Sequence, residues 1–177
     1  MPNMTIHAAL RATLLAGAAA IAAPAWAQEI AIAIGSEPTT LDPQLRDDGG
    51  ERVITDNIFE TLTVRDAAGA LGPGLAAAMP TQIDATTWEI PLREGVTFHN
   101  GEPFDAAAVV HSVERIIDPE FNSEQMSYLS TISGAEAVDD LTVRITTSGP
   151  DPILPARLYW LKMVPPEASE AEGFADA

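Results

Sequence analysis

The chain has 177 residues, 26 acidic and 9 basic side chains, a formal net charge of −17 and no cysteine. That balance argues against nucleic acid and anionic membrane surfaces as partners, since both call for basic patches. The missing thiol excludes cysteine nucleophiles and thiolate metal sites, and with them the lipid-bearing cysteine of a bacterial lipoprotein.

Residues 1–27, MPNMTIHAALRATLLAGAAAIAAPAWA, carry Arg11, no acid, a short apolar run at 12–23 and an Ala25-Trp26-Ala27 ending. These are the marks of a secretory signal peptide and predict cleavage after Ala27. The run is shorter than the roughly 20 residues that span a bilayer. The remainder is long enough for one domain with a real core, and the expected product diffuses freely in a periplasm.

Residues 29–35, EIAIAIG, alternate and read as a strand. Residues 36–50, SEPTTLDPQLRDDGG, read as a long turn-rich loop. In 51–62, Val53, Ile54, Ile58 and Leu62 recur near helical spacing and predict an amphipathic helix. A turn is expected at 66–69. Residues 71–80, with two glycines and two prolines, should be irregular apart from one helical turn at 75–78.

In 87–92, Trp88, Ile90 and Leu92 face one way, which predicts a half-buried strand, edge-like because Pro91 donates nothing to a ladder. Asn100-Gly101 signals a turn. Asp105 is an N-cap, Phe104 can staple onto Val109, and Val109, Val113, Ile116 and Ile117 form the apolar stripe of a helix that ends at Asp118-Pro119. Leu141, Val143 and Ile145 alternate as a strand that Asp139-Asp140 joins to a preceding one. Residues 149–155 break the pattern, 158–164 read as helix-to-strand, and the tail shows no period. Without a βαβ rhythm, the class is α+β.

Chemistry is sparse. His99 and His111 are the histidines after residue 27. His111, two positions past Val109, should be solvated opposite the core stripe. His99 should orient its turn through a backbone hydrogen bond. There is no HExxH, GxSxG or phosphate-cradling glycine loop, and Asp47-Asp48 lacks the alternating ligands and closing Glu of a calcium loop. No catalytic residue, metal ligand or cofactor is therefore assigned. A secreted hydrolase built from scattered Ser, His and Asp is the enzymatic alternative. Trp88 reads as core, Tyr159-Trp160 as core or cleft wall, and Tyr128 as a loop aromatic that either contacts a ligand or covers a core edge.

In order along the chain stand EPTTLDP (37–43), IFETL (58–62), PGLA (73–76) and TWEIPLREGVTFHNGEPFDAAAVVHSVERIIDP (87–119). This succession resembles the N-terminal part of the extracytoplasmic solute-binding proteins of peptide-type ABC transporters, family 5, over residues 30–166. LREGVTFHNGEPFDA followed by VVHSVERIIDP is the specific part. Ala107-Ala108 departs from relatives that carry an acidic residue before the Val-Val pair.

The resemblance implies a two-lobed periplasmic binding protein fold of type II. Residues 28–50 would supply the first strand and cleft loop of the main lobe, 51–150 mostly a small accessory subdomain, and 151–177 the return to the main lobe. Members are much longer, so the expectation is an N-terminal piece that stops before the second lobe. By the same resemblance, residues 91–116 are frame. The loop after the LDP segment lines the cleft through Leu45, Arg46, Asp47, Asp48, Gly49 and Gly50, with Tyr128 as a second contact. Glycines there would let a ligand backbone approach closely. The implied partners are an oligo- or dipeptide and the permease subunits of an ABC importer, with the protein a monomer. Nickel chelates, sugars and opines are alternative solutes.

Overall fold

The computed structural model describes residues 32–35 and 37–174. The signal-peptide segment lies outside them, as do residues 29–31 of the expected first strand. Residues 32–35 form no strand among the described residues, and Ile32 is 79% exposed. The chain divides into units Met1–Ala33 and Ile34–Ala177, and the second carries everything that follows.

The first helix, α1, spans Gly49–Thr55, with the Asp48 carboxylate accepting from the Gly50 N–H at 2.7 Å. It therefore starts two residues before the expected helix and ends seven residues before it. Val53 is exposed, while Glu51 and Thr55 are buried, so the apolar spacing of 51–62 is not a helix face. A hairpin follows: β1 (Thr63–Arg65) pairs antiparallel with β2 (Leu71–Pro73) across the expected 66–69 turn. Residues 71–80 are thus not irregular throughout, and no helical turn forms at 75–78. Ala76 instead bridges to Leu92. Gly74 explains the glycine of PGLA, since a Cβ there would lie 2.5 Å from the Thr61 carbonyl oxygen.

The main sheet has the order β3 (Thr81–Gln82), β4 (Thr87–Pro91), β6 (Thr142–Thr147), β5 (Ile132–Asp139), antiparallel throughout. Trp88 opposes Ile145 and Ile90 opposes Val143, and all four are buried on one face. On the other face Arg144 pairs with Glu89 of β4 at 3.0 Å, a cross-strand ion pair. β4 is interior rather than an edge strand. Leu92 and Thr147 donate to the Leu141 and Thr86 carbonyls, so the even-numbered residues of β4 bond to β6 and Pro91 faces away. Its missing N–H lies on the β3 side, past the end of that two-residue strand, where no ladder bond is lost.

Helix α2 (Ala106–Ile117) packs its Val109, Val113 and Ile116 stripe against β5 and β6. Full burial of each such side chain is worth about 1.5–3 kcal/mol. Asp105 caps it, accepting from the Ala108 N–H at 3.0 Å, and Phe104 is buried beside it, as the sequence predicts. The turn before it holds Gly101 at φ +92° and is fastened by Asn100, whose Oδ1 accepts from the Glu102 N–H. His99 is exposed and does not take that role.

A 3-10 helix, Glu124–Leu129, then leads into β5. Two further short helices, α3 (Leu154–Arg157) and α4 (Pro166–Ser169), lie where breaks or an aperiodic tail were expected. Pro155 and Pro166 occupy first-turn positions, where the lost N–H had no partner to lose. The 158–164 stretch follows α3 and pairs back through Lys162 to Thr61. Glu102 accepts from the Glu167 and Ala168 N–H groups at the start of α4. Burial pushes the Glu102 carboxyl up, but these donors, with Asn100 and the nearby His111, outweigh it and hold the group below the usual range.

Candidate functional site

The candidate loop is anchored at its start by buried polar groups. The Asp42 carboxylate, 1% exposed, forms a bidentate pair with Arg115 from the last turn of α2. Gln44 is fully buried. Its amide donates to the Ser112 and Lys162 carbonyls at 3.0 and 2.8 Å, and its oxygen accepts from Arg115 at 3.1 Å. The Arg115 guanidinium also lies 4.0 Å from the Phe121 ring centre. These contacts fix the point from which residues 45–50 leave.

Beyond that anchor the predicted site residues divide. Leu45 and Asp47 are half-buried, while Arg46, Asp48 and Gly49 are exposed. Arg46 pairs with Glu124. Gly49 and Gly50 do not belong to a flexible loop; they form the first turn of α1, which Asp48 caps. A Cβ on Gly49 would meet no protein atom within 4 Å, so that position opens outward.

Tyr128 sits on the 3-10 helix rather than in a loop, and its hydroxyl donates to Asp47 Oδ2 at 2.7 Å. The loop and Tyr128, predicted separately, are thus in contact. That carboxylate, by its hydrogen bond and its charge, holds the Tyr128 phenol above its usual value.

Arg52, which has no assigned role in sequence, and Trp160, read there as core or cleft wall, complete the arrangement. Arg52, one turn into α1, pairs with Asp47 Oδ1 at 3.3 Å and places its guanidinium 4.5 Å from the Trp160 ring centre. Trp160 stacks on Tyr128 with ring centres 4.9 Å apart and planes 16° apart. Asp47, Arg52, Trp160 and Tyr128 therefore form a closed circuit of contacts. Tyr159 meets Trp160 edge-on, and Arg65 lies over Tyr159, extending the aromatic wall toward β1. The signals were present: a Tyr-Trp pair, and Asp48 three residues before Glu51, a spacing that marks helix starts.

The gap enclosed by Pro43, Arg52, Gln125, Trp160 and their neighbours holds only about 10 Å³, room for about one water. The circuit is therefore a wall, not a pocket. An apolar cavity of about 290 Å³ lies elsewhere, between Phe59, Phe98, Phe104, Met163 and Phe174, and none of the circuit lines it.

His111 departs from expectation. Its side chain is only 22% exposed, with Nε2 2.7 Å from Ser169 Oγ. Glu170 approaches the same ring nitrogen, at 3.9 Å. A hydrolytic triad needs the carboxylate on the other nitrogen, where it orients the base, so this contact is a clasp between α2 and α4.

Curated relatives include glutathione-binding protein GsiB of Pectobacterium atrosepticum, 35% identical over 134 residues, and its counterpart in Escherichia coli K12, 32% identical over 124 residues. The aligned parts cover 75% and 70% of this chain but 26% and 24% of those proteins, so the chain spans about a quarter of their length. Among solved structures, OppA of Burkholderia pseudomallei superposes with a TM-score of 0.73 at 25% identity, over 80% of this chain and 31% of that one. OppA of Haemophilus influenzae in complex with RPPGFSPFR gives 0.73 at 26%, over 80% and 32%. NikA of Brucella suis in complex with Fe(III)-EDTA gives 0.67 at 26%, over 77% and 28%. The fold is accordingly part of one lobe of a type II periplasmic binding protein. Residues 70–176 match the sequence profile of the bacterial extracellular solute-binding proteins, family 5 Middle, and the chain belongs to that family.

Proposed function

We propose that the protein is the solute-binding component of an ABC importer. It captures a peptide-like solute in the periplasm and delivers it to a membrane permease, making and breaking no covalent bond. The observation that carries this reading is the contact of Asp47 with Tyr128, on which Trp160 stacks, so that two separate sequence candidates meet in one half-buried wall. A wall without an enclosed pocket suits a protein that traps its solute between two lobes by hinge closure. The family and the names of its relatives, which bind glutathione in one case and RPPGFSPFR in another, support a peptide-like ligand.

The wall is near-neutral, since Arg52 offsets Asp47 and Lys162 pairs with Asp56 at 2.6 Å. Recognition through backbone groups and aromatic edges fits that balance better than capture of a highly charged ion. A chelate reading is supported by the likeness to NikA with Fe(III)-EDTA and to NikZ of Campylobacter jejuni with Ni(L-His).

The test is a fluorescence titration of the protein isolated from periplasmic extract, with Trp160 as reporter. Glutathione, di- to nonapeptides and a nickel–histidine chelate are the probes. Saturable binding of one peptide class is the expected result. Binding of the chelate alone overturns the peptide assignment, and steady peptide cleavage overturns the binding-protein reading.

A further inference from the structure

Four consecutive carbonyls of the candidate loop, those of residues 43–46, are each met by a donor from three consecutive residues. Gln125 Nε2 donates to Pro43 O at 2.6 Å and to Arg46 O at 2.7 Å. Ser123 Oγ donates to Gln44 O, and the Glu124 N–H to Leu45 O at 3.0 Å. The next residue is held from the same place, since the Asp47 N–H donates to Glu124 Oε2 at 3.1 Å. Gln125 and Ser123 are buried, with 6% and 8% exposure.

An irregular loop forms few hydrogen bonds of its own, and a buried carbonyl left bare is costly. Here one short segment takes the whole set, in a way that neither helix nor sheet supplies. The same segment continues into Tyr128, which meets Asp47.

From this we infer that Ser123, Glu124 and Gln125 are a mould for the solute loop. They are positioning residues that fix where Asp47 and the start of α1 stand, without touching the solute. The inference rests on the assignment of residues 45–50 to the solute face. Its structural half is independent of that assignment.

The position of Asp47 has its own reporter. Its carboxylate holds the Tyr128 phenol above the usual value, so a displaced Asp47 lets that titration fall back. Ultraviolet titration of the phenolates of the full chain reads this without any ligand, and Tyr128→Phe separates the signal from Tyr159.

The variant is Gln125→Leu, which keeps bulk and removes both donors. Val143→Ala in β6 serves as a control that loosens the core elsewhere. Gln125→Leu should lower the Tyr128 titration and weaken glutathione binding about tenfold, mainly through faster release, while the control leaves the Tyr128 titration in place. Glu124→Ala, at a side chain about half exposed, should shift the titration the same way by less, and carries the test if Gln125→Leu does not fold.

An unchanged Tyr128 titration in folded Gln125→Leu and Glu124→Ala overturns the mould, as does an equal fall in Val143→Ala. If the parent binds neither glutathione nor any of the di- to nonapeptides but Gln125→Leu still releases Tyr128, the mould stands and the solute assignment fails.

Discussion

The sheet-and-helix frame and the wall around Asp47 are held by different forces. In the frame, Trp88, Ile90, Val143 and Ile145 meet Val109, Val113 and Ile116 in a dry core. Around the loop, Asp42, Gln44, Ser123 and Gln125 are as deeply buried, yet their contacts are hydrogen bonds and an ion pair. Apolar burial is non-directional and tolerates a shift. A buried hydrogen-bond network fixes position and is costly when half-satisfied. The difference teaches that this fold spends its tolerant interactions on the frame and its directional ones on the place where a loop must stand still.

Substitutions that separate the two kinds of interaction sharpen or break that contrast. The largest effect is expected at the anchor. Arg115→Met leaves the Asp42 carboxylate buried without its cation, and removing one partner of a buried pair costs about 3–5 kcal/mol. A shift in the urea midpoint equivalent to less than about 1 kcal/mol would show that the pair is not the anchor. In the frame, Ile145→Ala should cost about 2–5 kcal/mol through lost burial and a residual cavity. It should leave solute affinity unchanged while the protein stays folded, and a parallel loss of affinity would erase the distinction.

Asp105→Ala removes the cap of α2 and should cost about 1 kcal/mol, read from the thermal midpoint. The smallest effect concerns acidity. The Arg46 side chain and the Asp47 N–H hold the Glu124 carboxyl below the usual range. Its folded pKa is therefore depressed, and its contribution is full above the ordinary glutamate value of about 4.3. That contribution fades as pH falls through the lower folded value. Mild acidification should loosen residues 45–47 before the frame, seen as a fall in their amide protection below about pH 4.3. A Glu124→Gln protein should lose that acid sensitivity.

The frame was legible in the sequence because its signals are local and long enough to repeat. Asp105, the α2 stripe and the alternation at 87–92 and 141–145 each state their structure within a few residues. Much of the site was not. The hairpin strands are three residues long, too short for a period, and α3 and α4 hide behind prolines that first turns accept. Val53 and Ile58 imitated a helix face because spacing does not say where the neighbours are, and both are exposed. The candidate loop stands out in sequence, yet its contacts Arg52, Gln125 and Trp160 come from three different segments. Gln125 carries no local signal of its role, and only the fold turns it toward Pro43 and Arg46.

The central claim is that residues 45–50, with Tyr128, face the solute while residues 91–116 only support them. Hydrogen exchange of the full chain, with and without a saturating peptide probe, tests it most directly. The account predicts that amides of 45–52 and 125–129 gain protection on binding and that those of 91–116 do not change. Protection appearing in 91–116 while 45–52 stays as it was would contradict it.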